Sequence, residues 1–112
     1  MTESKPDLLP GTLDMLVLQT LAPKPIHGYA IAQRIRAMSD DVLAVEQGSL
    51  YPALYRMERR GWLKAKWGIS ETKRRAKFYH ITKAGRQHLE REQSSWYTFV
   101  EAVARVMGGK AS

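Results

Sequence analysis

A basic loop between two alternating segments constrains the fold of this chain more than any other feature. Residues 62–67 and 77–82 each alternate apolar and polar side chains, which predicts two β-strands. The polar residues 68–76 between them carry three consecutive cations, Lys73, Arg74 and Arg75. Adjacent like charges repel each other, so they gain nothing obvious from folding. The pattern predicts a β-hairpin with a charged tip, a wing, and Lys77 adds a further cation to it.

The chain before the hairpin predicts three helices. The first spans about 12–22, is capped by Thr12 and carries a stripe of Leu13, Leu16, Val17 and Leu21. Met15 and Leu18 lie off that stripe, and such surplus apolar surface often serves a second interface. The second helix follows His27–Gly28, with Ile31, Ile35 and Met38 on one face, and ends at 39–41. The short β-rich stretch 42–45 predicts a small strand.

The third helix has the chemistry of a DNA recognition helix. It begins near 47–49 and ends at Gly61, with Pro52 expected in its first turn. Leu50, Leu54 and Met57 face the core. A helix of this size enters the major groove of B-DNA, where arginines bind phosphates or guanine and hydroxyls donate to phosphate oxygens. The candidate residues on its outer face are Ser49, Tyr51, Tyr55, Arg56 and Arg59. An ordinary solvated face and plain groove-filling tyrosines are the competing interpretations. Trp62 and Trp67 in the hairpin strands are expected to pack on the helices rather than to stack on bases.

A long fourth helix is predicted over 83–107, with Thr82 as its cap. Leu89, Trp96 and Val103 recur every seven residues, and Val100 and Met107 occupy alternate positions of the same seam. Such a heptad pattern packs against another helix along its length, although Gln93 interrupts it. The arrangement as a whole is mainly α with a small β-hairpin (α+β): a winged helix-turn-helix followed by a long helix.

Charge and missing motifs narrow the function classes. The net charge is +7, and residues 56–91 hold twelve cations against three acids. A basic helix and wing together favour duplex DNA over RNA, an anionic membrane or a protein partner. The histidines His27, His80 and His88 lack metal-ligand spacing, there is no cysteine, and no catalytic motif occurs, so we expect no enzyme, metal or cofactor. No leader or long apolar run is visible, which predicts a cytoplasmic location.

Four motifs resemble the PadR family of transcriptional regulators. They are Leu8–Asp14, His27–Tyr29 with Ile31, Gln47–Leu54 and Met57–Trp62; Trp67–Glu71 with Arg74–Ala76 is similar to a small acidobacterial-type subgroup. The resemblance covers roughly 8–107. It implies a DNA-binding domain over 8–82, a dimerisation helix over 83–107 and flexible ends at 1–7 and 108–112. It also places Pro52 at the DNA beside Ser49, Tyr51 and Tyr55.

The resemblance further implies how the chain acts. We expect a homodimer that represses transcription from a pseudo-palindromic operator, with the last helix packed on helix 1 of the partner. The expected interface residues are Leu13, Val17, Leu89, Trp96, Val100, Val103 and Met107. Some relatives respond to small aromatic compounds, and Trp96 occupies a position where drug-binding relatives hold a tryptophan. Trp96 is therefore a candidate effector contact, or else plain dimer core.

Overall fold

The two wing strands and one short strand from the first part of the chain form one small antiparallel sheet. The computed structural model describes residues 11–109. In chain order its elements are α1 (Thr12–Leu21), β1 (Ile26–His27), α2 (Gly28–Met38), α3 (Gln47–Arg59), β2 (Leu63–Ile69), β3 (Arg75–Ile81) and α4 (Lys83–Met107). The sheet order is β1-β3-β2, with Leu63 opposite Ile81 and Ile69 opposite Arg75. The predicted mainly α, α+β winged-helix architecture is confirmed.

The core lies where the three leading helices cover one face of the sheet. It takes Val17, Leu18 and Leu21 from α1, Ile31 and Ile35 from α2, and Leu50, Leu54 and Met57 from α3, together with Leu63, Tyr79 and Leu89. The predicted inward face of α3 is thereby confirmed. Burying one such large apolar side chain stabilises the fold by about 1.5–3 kcal/mol.

The first part of α4 belongs to this core. Thr82 caps the helix as predicted, since its hydroxyl accepts a hydrogen bond from the Gly85 N–H at 3.0 Å. A Cβ on Gly85 would lie 2.3 Å from the carbonyl oxygen of Trp62, so only glycine allows this approach. The Trp62 ring stacks on His88 with centroids 3.7 Å apart. These contacts fix the start of α4 against the hairpin.

Several predictions about α1 and α2 are wrong. Gly11, with a φ of 84°, precedes α1 and no side chain caps it, so Thr12 is not the cap. Leu18 is fully buried, which places it in the core, whereas Leu13 and Leu16 are only half-buried. Met38 is 64% exposed, because it lies in the last turn of α2 beyond the reach of the core.

The predicted strand at 42–45 is also absent from the described residues, and a different strand is present. Residues 42–46 are irregular, after Asp40 and Asp41 adopt positive φ angles. The additional strand is β1, where Ile26 pairs with Tyr79 of β3. The hairpin strands are longer than expected and leave a loop of residues 70–74 only. Of the predicted flexible ends, 1–7 and 110–112 lie outside the described residues, while Gly108 closes α4 with a φ of 76°.

Two further predictions, the position of Pro52 in its helix and the burial of Trp67, are wrong. Pro52 is the sixth residue of α3, not part of its first turn, because the helix already begins at Gln47. Proline there removes a hydrogen bond within the helix, which a proline in the first turn would not. Trp67 was expected to pack on the helices, but its side chain is 60% exposed because β2 extends beyond them.

Candidate nucleic-acid interface

The exposed side of α3 presents every residue that the sequence places at DNA on this helix. Its buried side holds Leu50, Ala53, Leu54 and Met57, which leaves the opposite side to solvent. Tyr51 is 42% and Tyr55 62% exposed. The remaining exposed candidates are Ser49, Pro52, Arg56 and Arg59. A depression of about 300 Å³ on this side is lined by Tyr55, Arg56, Arg59 and Arg60.

Arg56 has a second attachment that the sequence does not reveal. Its guanidinium donates a hydrogen bond to Asp14 Oδ1 of α1 at 2.5 Å. The Asp14 side chain is only 11% exposed, while that of Arg56 is 46% exposed. A buried carboxylate needs a paired cation, so this bond ties α3 to α1 across 42 residues of sequence. Arg56 therefore supports the fold as well as facing the depression.

Arg59 and Arg60 extend the cationic end of α3. The Arg59 guanidinium lies 5.7 Å from the ring centroid of Tyr55, and that of Arg60 lies 5.2 Å from the Trp62 ring. Both contacts have the geometry of cation–π pairs, which hold a planar guanidinium in place without neutralising its charge. The sequence does not single out Arg60 as a candidate for this surface, because its only distinguishing feature there is its position next to a helix end.

Tyr51 lies where α3 meets the start of α2. A Cβ on Gly28 would come within 2.8 Å of the Tyr51 ring, so glycine makes room for this tyrosine. The ring therefore packs against the first turn of α2 and is still partly exposed beside Ser49. Because Gly28 and Tyr51 lie far apart in the chain, the sequence alone does not reveal that the position of Tyr51 depends on a glycine at 28.

The wing loop is ordered by one serine. The Ser70 N–H donates to the Arg74 carbonyl at 2.8 Å, and the Lys73 N–H donates to the Ser70 carbonyl at 2.9 Å. The Ser70 hydroxyl also accepts from the Arg74 N–H at 3.3 Å. Lys73 takes a left-handed conformation with a φ of 61°. The loop thus holds two exposed cations, Lys73 and Arg74, at the tip of a regular hairpin.

Lys77 joins the wing to α3. Its ammonium lies 3.7 Å from Glu58 Oε1 on α3 and 5.9 Å from the ring centroid of Tyr79. Lys77 shares one face of the sheet with Arg75 and Tyr79, because side chains alternate along a strand. That face is the one on which Tyr79 is buried. Lys64 and Lys66, one residue out of phase, lie on the opposite face.

The wing loop is also linked to the beginning of α2. The His27 Nδ1 accepts the Ala30 N–H at 3.4 Å, and its Nε2 lies 3.2 Å from Glu71 Oε1. The neutral tautomer with its proton on Nε2 satisfies both bonds. The hydrogen bond from His27 is the main cause that lowers the pKa of the exposed Glu71 carboxyl. One imidazole therefore connects the cap of α2 to the wing.

The second half of α4 carries apolar side chains far from the core. Val103 is 41%, Phe99 57%, Tyr97 64%, Met107 78% and Val106 86% exposed, and Trp96 and Val100 are half-buried. By contrast, the expected interface residues Val17 and Leu89 are 0% and 6% exposed. Those two side chains fill the core of the single chain, so we correct their assignment.

A small groove lies between the start of α1 and the middle of α4. It has a volume of about 200 Å³, and its lining includes Met15, Glu92, Trp96 and Phe99. Nearby, Gln93 of α4 hydrogen-bonds to Gln19 of α1 in the same chain, which explains how a polar residue is accommodated in the seam. Trp96 thus faces a groove of this protomer as well as the exposed half of α4.

Residues 11–109 lack the features of two other kinds of site, a metal centre and a membrane-spanning helix. That part of the chain contains no group of histidine and carboxylate side chains arranged to hold a metal ion. No helix within it has the length and apolar character needed to span a membrane.

Comparison with known proteins identifies the family. Residues 17–91 match the model of the transcriptional regulator PadR-like family. A PadR family transcription regulator from Clostridium difficile is 30% identical, with 88% of this chain and 100% of that chain covered at a TM-score of 0.73. A PadR family transcriptional regulator from Eggerthella lenta is 31% identical, with 87% and 82% covered and a TM-score of 0.72.

Two further relatives match over most of their length. A transcriptional regulator from Clostridium thermocellum is 27% identical, with 85% of this chain and 89% of that chain covered at a TM-score of 0.77. An uncharacterized protein from Lysinibacillus sphaericus is 26% identical over 103 residues, which are 92% of this chain and 94% of that protein.

Proposed function

The chain belongs to the PadR-like family of transcriptional regulators, and from that premise we propose that it represses transcription as a homodimer bound to a pseudo-palindromic operator. Regulators of this family bind DNA and are not enzymes, so the prediction of a DNA-binding regulator without catalysis is confirmed. We further propose that it acts in the cytoplasm. The observation that carries the proposal is the exposed face of α3, together with the exposed cations of the wing, which Lys77 joins to α3 through Glu58.

In the proposed complex, α3 enters the major groove with Ser49, Tyr51, Pro52 and Tyr55 leading. The Arg59 guanidinium, held beside Tyr55, is placed to bind a phosphate or a guanine edge. Arg56 contributes through the part of its side chain that Asp14 leaves exposed. The main supporting evidence is that these side chains lie above a fully buried inner face, which fixes the helix rigidly.

The wing contributes electrostatic affinity in this scheme. Lys73, Arg74 and Arg75 are exposed, and Lys77 is held beside Glu58 at the root of the wing. Each phosphate neutralised in duplex DNA releases condensed counterions, which makes binding weaken as salt rises. Two wings in a dimer supply six exposed cations, so a large part of the salt dependence is assigned to them.

The exposed apolar half of α4 supports the homodimer. An apolar surface of this extent marks an interaction site, and we assign it to a second copy of the chain. The proposed contacts are Trp96, Val100, Val103 and Met107 of one protomer with α1 of the other, where Leu13 is half-buried. In such a dimer the two α3 helices would reach half-sites about 34–36 Å apart.

We also propose that a small planar aromatic compound relieves repression. Its binding site would include Trp96, because the indole lines a groove between α1 and α4 that the dimer would extend. Aromatic faces favour offset stacking with planar ligands. Quenching of tryptophan fluorescence by planar compounds, lost in Trp96→Leu, would support this part; quenching that is unchanged in that variant would contradict it.

Selection of genomic fragments by the purified protein tests the function directly. We expect one short inverted repeat to be enriched, and a salt titration on that duplex should give a steep decline of log K with log salt. Alanine at Lys73, Arg74 and Arg75 should flatten the slope by up to about 5, since six phosphate contacts in a dimer contribute about 0.9 each. Equal weak binding to every duplex would contradict an operator-specific regulator.

Oligomeric state is tested by a change confined to exposed residues. Val103→Glu places a charge in the proposed interface without touching the core, and should give a folded monomer by sedimentation. The matched control is Glu101→Ala, on the exposed side away from that seam. A Val103→Glu chain that stays dimeric would contradict the assignment.

A further inference from the structure

The face of the sheet that packs on the core continues into solvent along the wing. Leu63, Ala65, Trp67 and Ile69 point to this face, since side chains alternate along β2. Leu63 is 2% exposed, whereas Trp67 is 60% and Ile69 67% exposed. The indole and the isoleucine are neighbours on one exposed face of β2 and form a contiguous apolar patch, the kind of surface that marks an interaction site.

Arg75 completes this patch from the neighbouring strand. It pairs with Ile69 across the sheet, while Trp67 pairs with Lys77, so Arg75 is the diagonal neighbour of Trp67. Its guanidinium lies 4.5 Å from the Trp67 ring centroid, the shortest of the cation–ring distances within residues 11–109. Stacking on the indole restricts the rotamers of a long side chain and leaves its charge intact.

The same face adjoins α3. Lys77 lies between the patch and α3, with its ammonium 3.7 Å from Glu58. Cations dominate the surroundings, since Arg75, Lys77, Arg74 and Lys73 follow one another around the wing. An occupant must therefore be a polyanion that also offers apolar surface. Duplex DNA fits both conditions, because deoxyribose edges line a groove bordered by phosphates.

We propose that Trp67, Ile69 and Arg75 form a docking surface for the sugar–phosphate edge of the minor groove, with Trp67 acting as a positioning residue for the Arg75 guanidinium. The proposal deepens the function proposed above and rests on it. Arginine held in a fixed orientation favours a narrow minor groove, where the negative potential is strongest. The wing would thereby prefer A·T-rich sequence beside each half-site.

A substitution series at Trp67 tests the positioning role. Trp67→Leu should weaken binding to a duplex with an A·T-rich flank about tenfold, whereas Trp67→Phe, which keeps a ring for Arg75, should bind within about threefold of the original chain. If the indole acts through Arg75, the double variant Trp67→Leu/Arg75→Gln should bind no more weakly than Arg75→Gln alone. Additive losses would overturn the positioning role.

The matched control is Lys66→Gln, which removes a charge from the opposite face of the same strand. It should leave the preference for the A·T-rich flank unchanged, while Trp67→Leu should abolish that preference. Circular dichroism should show that all variants fold, because the substituted side chains are exposed. A preference that survives Trp67→Leu would overturn the proposal.

Fluorine NMR gives a readout that does not depend on affinity. With 5-fluorotryptophan in all three indoles, Trp67→Phe assigns one resonance. We expect the Trp67 signal to shift on binding duplex, while the Trp62 signal, stacked on His88, stays in place. A chain that binds DNA fully without moving the Trp67 signal would overturn this proposal alone, and would leave the patch to a protein partner. A chain that binds no duplex would instead refute the proposed function.

Discussion

Replacing Arg56 with alanine should destabilise the folded protein, even though the side chain lies on the proposed DNA-binding face. The substitution removes the cation that pairs with Asp14 at 2.5 Å. Asp14 is 8% exposed and stays in its place on α1, so its carboxylate would lose the hydrogen bond while it is still shielded from water. The physical cost arises from that shielded charge and not from the arginine itself.

The burial of the two partners sets the magnitude. An ion pair exposed at both ends contributes about 0–1 kcal/mol, and removing one partner from a fully buried pair costs about 3–5 kcal/mol. Here the Asp14 side chain is 11% and that of Arg56 46% exposed, which places this pair between the two cases. We therefore expect a loss of about 1–3 kcal/mol. For a domain of this size each kcal/mol lowers Tm by about 4–8 °C.

Thermal and urea unfolding at one fixed protomer concentration measure the effect, since any dimer makes Tm depend on concentration. Arg59→Ala is the matched control, because that arginine contacts the exposed Tyr55 ring and should change stability by no more than about 0.5 kcal/mol. In DNA binding the two variants should rank the other way round: Arg59→Ala should weaken binding more than Arg56→Ala does, although its stability is normal. A double-mutant cycle of Asp14→Ala with Arg56→Ala should give a coupling of at least about 0.5 kcal/mol. Strictly additive losses, or an Arg56→Ala chain that melts like the original, would refute the structural role.

Three further predictions follow from single contacts. Gly85→Ala should lower the urea midpoint of unfolding, because overpacking against the Trp62 carbonyl costs about 1–3 kcal/mol and outweighs the higher helix propensity of alanine. The control Gly48→Ala should not lower it, since a Cβ at Gly48 meets nothing within 4 Å. Equal midpoints for the two variants would count against the close contact. The pKa of the Glu71 carboxyl is lowered by its hydrogen bond with His27. This bond between the wing loop and His27 therefore stabilises the fold above the usual carboxyl pKa, and its contribution is lost as pH falls through the folded pKa; an NMR titration midpoint above about 4.3 would contradict this. Burial raises the pKa of the Tyr79 hydroxyl, so the stabilising effect of this buried tyrosine is present below pH about 10 and is lost as pH rises further. Tyr79→Phe cannot ionise and should unfold at higher pH than the original chain. An unchanged pH of alkaline unfolding would argue against burial as the cause.

Elements with a local repeat were predictable from the sequence. The α3 and α4 helices each carry an apolar spacing that their own residues complete, and both were predicted with bounds close to those observed. The hairpin was predicted for the same reason, since alternation on two neighbouring strands needs no distant information. The exposed candidate residues of α3 followed from the same periodicity, because a buried inner face determines which side chains lie outside.

Features that depend on distant partners were not predictable. The strand β1 has two residues and exists because Ile26 meets Tyr79, 53 positions later. Asp14 looked like an ordinary polar residue near the start of α1 until the fold brought Arg56 to it. The α1 helix has apolar side chains on nearly all sides, so periodicity could not decide that Leu18 enters the core and Leu13 does not. Trp67 was misplaced because alternation gives the face of a strand but not where the covering helices stop.

The α4 helix is held against the rest of the chain along its first half only, which makes its second half a lever arm. The hydrogen bond of Gln93 to Gln19 of α1 acts as the fulcrum, and the 14 residues from there to Met107 extend about 21 Å at 1.5 Å per residue. A tilt of about 10° at that fulcrum would displace Met107 by about 4 Å, because displacement grows with arm length. In the proposed dimer such a small rotation would change the spacing of the two recognition helices by an appreciable part of a helical turn of DNA. Side chains around the fulcrum, far from any base pair, would thereby determine which operator spacing fits.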